Sequence, residues 1–457
     1  MRLLVSTLLL ACLASTARAQ QEIHFWHALS GALGNELEAV VQRFNESQKD
    51  YRVVATHKGS YEDTMIGALA AQRSGTGPHI VQVYEVGTGH MMAFRGAYVP
   101  AWLVMADAGE SLDTKSFLPA VAGYFSDSSG KLLALPFNLG TPILFYNKDI
   151  FRKAKLDPER PPKTWYELPK IVGELKEINV DCALTTTWPS WVMLENMSTW
   201  HNQDFATREN GLGGLDAKLI FNTHIMVRHV SFLASWARAR YFTYSGRRIE
   251  GEKRFATGEC AMLTASSSSA AELRGAAKFD FGVAVLPYYD DVKGAPHHSL
   301  IGGAGLWTLA GKKPAEYKGV AKFLAYLARP KVQAEWHQRT GYIPVTRAAY
   351  DLTREQGHYT TNPGQLIAIG QLQLNAPTRE SRGIRMGEFA KIREIIEEEL
   401  EAAFDGTKPP KLALDNAADR GNALLRKFET AHKVGVDSGV PERTKRGTKP
   451  AAKGAKK

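Results

Sequence analysis

Gly258-Glu259-Cys260-Ala261-Met262-Leu263-Thr264-Ala265-Ser266-Ser267-Ser268-Ser269-Ala270-Ala271-Glu272-Leu273-Arg274-Gly275 reads as a strand, a hydroxyl-rich loop and the start of a helix. Cys260 to Thr264 is a short apolar run opened by a glycine turn. Ser269 followed three residues later by Glu272 has capping-box spacing, which predicts a helix beginning near Ala270. The unpaired first-turn amides and positive dipole end of that helix would lie just beyond four serine hydroxyls, an arrangement that favours an anion and a phosphate in particular. A plain surface turn is the rival reading, because serine caps helices and builds turns wherever helices start. Taken alone, the segment leaves the two open.

Toward the N-terminus the same strand-then-helix grammar repeats. Gln21 to Trp26 is a short strand, and Leu33, Leu37, Val40, Val41 and Phe44 then recur at helical spacing. Tyr51 to Thr56 is the next strand. Lys58-Gly59-Ser60-Tyr61-Glu62 opens a helix to about Arg73, and Ile80 to Tyr84 is an apolar run ending in Glu85. Such alternation predicts an α/β fold with mostly parallel sheets flanked by helices, whose ligands gather at the carboxyl ends of the strands. Tyr61 and Glu85 sit at such ends.

From Lys131 to Tyr146, Pro136, Asn138 and Gly140 interrupt two apolar runs, as expected of an extended segment crossing between two units. The pattern then restarts: Thr164 and Glu167 have capping-box spacing before a helix, and Val180 to Thr186 is a strand. Trp188, Trp191 and Trp200 follow it. Packing accounts for at least one of these indoles, and stacking on a sugar or polyol is the functional reading of the others. Further on, Gly302, Gly303 and Gly305 lie among apolar residues, where glycine lets backbone approach a ligand or act as a hinge. Ile392, Ile395, Ile396 and Leu400 stripe a helix beside Arg393.

The 457 residues, 44% hydrophobic and 23% charged, suffice for two or three globular domains. Residues 1–19 carry an early arginine, a leucine-rich run and Ala17-Arg18-Ala19, the pattern of a cleaved signal peptide, with a lipoprotein box at Cys12 as the minor alternative. The net charge of +10 is concentrated at the ends, since residues 433–457 hold eight basic and two acidic residues. A nucleic-acid partner is therefore not expected, and that tail reads as a disordered basic end. Cys182 and Cys260 each begin a buried strand, so a disulfide and two free thiols are both open. No Walker loop, nucleophile elbow, His-Glu-x-x-His or Cys-x-x-Cys is present, and the thirteen histidines show no metal spacing. Binding without turnover, with no cofactor or metal, is the simpler expectation. A sugar-binding protein and a secreted phosphodiesterase or glycosidase are the alternatives.

Phe25-Trp26-His27, Gly59-Ser60-Tyr61-Glu62, Val83-Tyr84-Glu85-Val86-Gly87, Pro136-Phe137-Asn138, Tyr146-Asn147-Lys148-Asp149 and Gly258-Glu259-Cys260-Ala261-Met262 together resemble the extracellular solute-binding proteins of ABC importers. Leu194-Glu195-Asn196, Ile301-Gly302-Gly303-Ala304, Glu335-Trp336-His337-Gln338 and 351–357 are similar to the members of that family that bind glycerol-3-phosphate. The resemblance implies two α/β lobes joined by hinge segments near Asn138, near Gly303 and after Tyr342. Residues 20–138 and 305–342 would form the first lobe, and 139–304 and 343–432 the second. It further implies a periplasmic monomer that delivers glycerol-3-phosphate or a glycerophosphodiester to two permease subunits and an ATPase. Tyr61 and Glu85 would meet the glycerol hydroxyls, with Trp188 and Trp191 stacked beside them. Ser266, the Gly303 backbone, Tyr342 and Arg393 would hold the phosphate. Gly140 departs from the family, whose glycerol-3-phosphate binders carry a phosphate-facing serine there, so a hydroxyl is lost and space is gained.

Overall fold

The computed structural model describes residues 20–436 apart from 95, 128 and 381. Residues 1–19, where the signal-peptide and Cys12 lipoprotein expectations fall, and residues 437–457 of the expected basic tail lie outside the described residues. A helix, Pro410–Val436, runs through the first residues expected to belong to the disordered tail.

The strands in chain order are β1 (Gln21–His27), β2 (Tyr51–His57), β3 (Ile80–Tyr84), β4 (Tyr98–Val99), β5 (Leu135–Gly140), β6 (Pro142–Asn147), β7 (Cys182–Thr186), β8 (Phe242–Thr243), β9 (Cys260–Ser266), β10 (Phe281–Ala284) and β11 (Gly302–Leu309). They form two sheets, ordered β2-β1-β3-β11-β4 with β5 also on β11, and β10-β6-β9-β7-β8. In each sheet a parallel trio (β2-β1-β3 and β9-β7-β8) is continued by antiparallel strands. The parallel parts are the strand–helix units visible in the sequence. The antiparallel parts arise where the chain changes lobes: β5 ends the first sheet and, across Thr141, β6 enters the second, while β11 returns from β10 to run against β3 and β5.

Helices cover the sheets with the faces their periodicity assigns. Gly31–Ser47 buries Leu37, Val40, Val41 and Phe44, and the Phe44 ring meets that of Phe323 edge-on at 5.0 Å. Burying each such side chain is worth about 1.5–3 kcal/mol. Tyr61–Arg73 starts at a capping box formed by Ser60 and Asp63. In the second lobe Phe145, Phe255 and Phe281 share a core, and Cys182 and Cys260, partners across the β7–β9 ladder, are joined by a disulfide.

The third crossing comes later than expected. Leu118 N donates to the Val345 carbonyl at 3.0 Å, Phe117 bridges Thr346, and the helix Arg347–Glu355 packs on Pro330–Thr340, so the chain stays on the first lobe well past Tyr342. Gly364–Leu372 is the helix that reaches β6 and β10. The terminal helix belongs to neither lobe alone. It packs on His224–Arg238 and Phe389–Phe404, yet its Phe428 and His432 rings also lie 5.8 and 5.2 Å from His90 and Phe94 beyond β3. Among the described residues no helix is long and apolar enough to cross a membrane.

Candidate functional site

The carboxyl end of β3 turns at Glu85–Gly87, which points the buried Glu85 into the seam between the lobes. One Glu85 oxygen lies 2.7 Å from Arg393 Nη2, and the other accepts the Gly303 N–H at 3.0 Å. Arg393 comes from Phe389–Phe404, a helix seated on the second lobe. Its Nε and Nη2 donate to the two oxygens of Glu195, both at 2.7 Å, and Ser190 Oγ adds a third bond to that carboxylate at 3.1 Å. Glu195 closes a π-helical turn, Trp191–Glu195, a local widening often found at functional sites. Two carboxylates thus share one guanidinium, all three less than a tenth exposed. Burial raises the Glu85 carboxyl above its ordinary range, with Arg393 opposing and Glu195 adding to the rise. Burial alone would lower the Arg393 guanidinium, but the carboxylates outweigh it and hold the group charged.

Beside this ionic cluster stands a neutral one. Asn138, in the crossing strand β5, donates to the Tyr61 hydroxyl at 2.8 Å and accepts from Gln82 at 2.8 Å. The Tyr61 ring stacks on Tyr84 at 5.5 Å, nearly parallel at 3°. The Tyr342 hydroxyl meets the side chains of Asn138, Tyr61 and Ser268. Its ring is stacked on Trp336 at 6.0 Å, which fixes it in place.

The serine loop closes the far side. The strand ends at Ser266 and the helix runs Ser269–Ala276, close to the expected start. The expected capping box does not form: Ser269 Oγ donates instead to Glu252 at 2.6 Å, and Glu252, raised by burial to about 7, draws it away from the helix end. Ser266 Oγ lies 2.9 Å from Ser268 Oγ, while the buried Ser267 Oγ has no partner. Gly140 faces this loop, since a Cβ there would stand 2.6 Å from Ser266 Oγ, 3.1 Å from Ser267 Oγ and 3.7 Å from the Tyr342 ring.

Of the residues singled out in the sequence, Tyr61, Glu85, Gly140, Ser266, Gly303, Tyr342 and Arg393 converge on this seam. Trp191 joins them, its ring pressed on Gly302, where a Cβ would fall 2.5 Å from the indole, and its N–H without a partner. Trp188 stands at the rim under the Arg248 guanidinium, 5.2 Å away, and Trp200 is core, its N–H given to the Leu286 carbonyl. One expectation changes. Arg393 and Glu85 were assigned to opposite ends of a ligand, yet they touch, because Glu195 brings a second buried carboxylate and the guanidinium bridges both. The Gly303 N–H, expected on the phosphate, is likewise taken by Glu85. Glu195 had a legible signal: a carboxylate that directly continues the apolar run Trp191-Val192-Met193-Leu194 is buried with it and must be paired. Gln82 carried none. Chemically, the assembly can accept from hydroxyl groups at Glu85 and donate to an anion from serine and tyrosine hydroxyls.

The pattern of the family "Bacterial extracellular solute-binding protein" matches residues 39–364. The chain is 47% identical over 421 residues to an sn-glycerol-3-phosphate-binding periplasmic protein UgpB from Yersinia pseudotuberculosis, covering 92% of this chain and 96% of that one. It is 49% identical over 418 residues to the protein of that name from Salmonella typhimurium, covering 91% and 95%. Among solved structures, UgpB from Mycobacterium tuberculosis in complex with glycerophosphocholine superposes with a TM-score of 0.75 at 22% identity, over 90% of this chain and 100% of that one. The GacH receptor of Streptomyces glaucescens gives 0.74 at 18%, over 89% and 99%. These likenesses show the two-lobed fold of periplasmic solute-binding proteins.

Proposed function

This chain belongs to the bacterial extracellular solute-binding protein family, and we propose that within it the protein captures a phosphate ester of glycerol for an ABC importer. The ligand is sn-glycerol-3-phosphate or a glycerophosphodiester. Glu85 and Tyr61 take the glycerol hydroxyls, with Trp191 against the carbon skeleton and Trp188 at the rim. Ser266, Tyr342 and the space at Gly140 receive the phosphate. Arg393, clamped by Glu195 through Nε and Nη2, keeps Nη1 to donate to the ligand. The protein works in the periplasm after loss of residues 1–19, as a monomer, and hands its cargo to two permease subunits and an ATPase without chemical change.

The observation that carries this reading is the juxtaposition, in one seam, of a carboxylate suited to polyol hydroxyls and a loop of serines suited to an anion. The similarity to relatives named for glycerol-3-phosphate supports it. Calorimetric titration with glycerol-3-phosphate, glycerophosphocholine and maltose, followed by mass spectrometry of the mixtures, is the test. Binding of either phosphate ester, unchanged afterwards, is expected. Maltose alone binding would transfer the protein to the sugar binders, and a hydrolysed product would make it an enzyme.

A further inference from the structure

Two hydrogen-bond donors in the seam are buried and unpaired. Ser267 and Trp191 are 4% and 5% exposed, and neither Ser267 Oγ nor Trp191 Nε1 has a partner among the described residues. Burying a donor without an acceptor costs free energy, and native structures hold few such groups, each of which calls for a reason. The backbone brings these two together. Gly140 and Gly302 are partners in the antiparallel ladder of β5 and β11, so side chains there would stand on one face of the sheet about 5 Å apart. A Cβ at Gly140 would lie 3.1 Å from Ser267 Oγ, and one at Gly302 would lie 2.7 Å from Trp191 Cε2, the ring carbon bonded to Nε1. The paired glycines thus make a bare strip of backbone with one donor at each end. Both donors are held in place. The Ser267 N–H donates to the Thr141 carbonyl at 2.9 Å, which ties the serine loop to the crossing strand. The Asn196 side chain donates to the Trp191 carbonyl at 3.0 Å and accepts from the Leu300 N–H at 2.8 Å, which ties the Trp191 turn to the segment entering β11. Ser266 and Ser268, by contrast, are bonded to each other.

We infer that Ser267 Oγ and Trp191 Nε1 form a donor pair that grips one oxygen of the bound solute's phosphate, so that Trp191 binds through its N–H edge as well as through its ring and Ser267 is a ligand-binding residue. This rests on the proposed binding of glycerol phosphate esters. An indole N–H can only donate, so the atom it meets is an acceptor. Two donors set about one place suit the charged oxygen of a phosphate better than a hydroxyl, which brings a hydrogen of its own, and a hydrogen bond to a charged oxygen is the stronger kind. Arg393, held by Glu195 at the end of the same turn as Trp191, supplies positive charge, and the neutral pair fixes where the oxygen sits.

A side chain kept for a ligand and one kept for the fold behave differently in the unliganded protein. Ser267→Ala removes a hydroxyl that has no partner in the fold, so its melting temperature without ligand should equal or exceed that of the wild type. Its dissociation constants for glycerol-3-phosphate and glycerophosphocholine, read by calorimetry, should both rise by about tenfold or more, because the phosphate is common to the two. Trp191→Phe deletes the other donor and identifies the Trp191 signal among the indole N–H resonances of protein labelled at tryptophan nitrogen. In the wild type that signal should move downfield when either ester is added. Affinities of Ser267→Ala within about twofold of the wild type for both esters would leave the two donors facing water and overturn the inference. So would an indole signal that stays in place at saturation, or a Ser267→Ala protein that melts well below the wild type, which would make the hydroxyl a structural one. If Trp191→Phe does not fold, the Ser267→Ala series decides by itself. Wild-type protein that binds neither ester would refute the proposed function, and the inference would fall with it.

Discussion

Glu85, on the turn after β3, and Arg393, on a helix seated against the second lobe, meet at 2.7 Å and form an ion pair that spans the seam. The binding residues are thus also a fastener, and removing either partner has effects beyond the ligand.

Arg393→Ala leaves Glu85 and Glu195 buried with no cation, a situation that typically costs about 3–5 kcal/mol. Chemical denaturation should show a loss of that order together with loss of glycerol phosphate binding. Glu85→Gln, which leaves Arg393 paired with Glu195, should cost less stability. It should also enlarge the unliganded radius of gyration in small-angle scattering by freeing one clasp of the seam. An Arg393→Ala protein as stable as the wild type would mean that the cluster contributes nothing to folding.

Gly303 and Gly140 should respond unequally to alanine. Gly303 has φ +107° and its added Cβ would lie 2.0 Å from the Asn138 carbonyl, so Gly303→Ala should lower stability by roughly 2–3 kcal/mol or more. Gly140 is not in the left-handed region and its Cβ would meet a rotatable serine hydroxyl. Gly140→Ala should therefore cost only about 1 kcal/mol, the worth of the displaced Ser266–Ser268 bond, while changing ligand affinity. Thermal melts of the two apo variants give the comparison.

Glu252 predicts a pH signature. Its folded-state pKa of about 7 lies above the ordinary carboxyl value, so the folded protein binds more protons than the unfolded chain between about 4.5 and 7. Its contribution to stability is present below that window and is lost as pH rises through it. Glu252→Gln should accordingly gain on the wild type as pH goes from 5 to 8, by on the order of 1 kcal/mol for this half-buried side chain. Parallel urea curves at the two pH values read the difference, and a difference independent of pH would refute it.

The disulfide closes a loop of 78 residues wholly within the second lobe. Replacing both Cys182 and Cys260 by serine should lower stability by roughly 4 kcal/mol. The bond lies at the starts of β7 and β9, whereas the serine loop follows the end of β9, so ligand affinity at 25 °C should stay within about twofold. Calorimetry and melting on the same samples test both halves of the statement.

The parallel trios and their flanking helices were legible because strand period and helix period are local properties of the chain. The strands 21–27, 51–57 and 80–84 and the helix after Ser268 stand within a residue or so of where the apolar pattern puts them. The antiparallel additions were not, since nothing in Gly302–Leu309 says that its neighbours are β3 and β5. Site residues were legible where a side chain's chemistry advertises itself, as with Tyr61, Glu85 and the serines. Partnerships were not: that Ser269 serves Glu252 rather than its own helix, and that Arg393 serves two carboxylates, depends on side chains arriving from other elements.

Because β11 sits between β3 and β4 and also pairs with β5, the first sheet lacks its central strand until residues 302–309 have been synthesised. A chain growing from the ribosome can form β1, β2 and β3, but the edge of β3 away from β1 has no partner until roughly two-thirds of its length exists. Long-range pairing of this kind carries a large loop-closure cost and is slow. The discontinuous weave that lets two lobes hinge therefore also delays folding, keeping the nascent polypeptide open and threadable until most of it has been made.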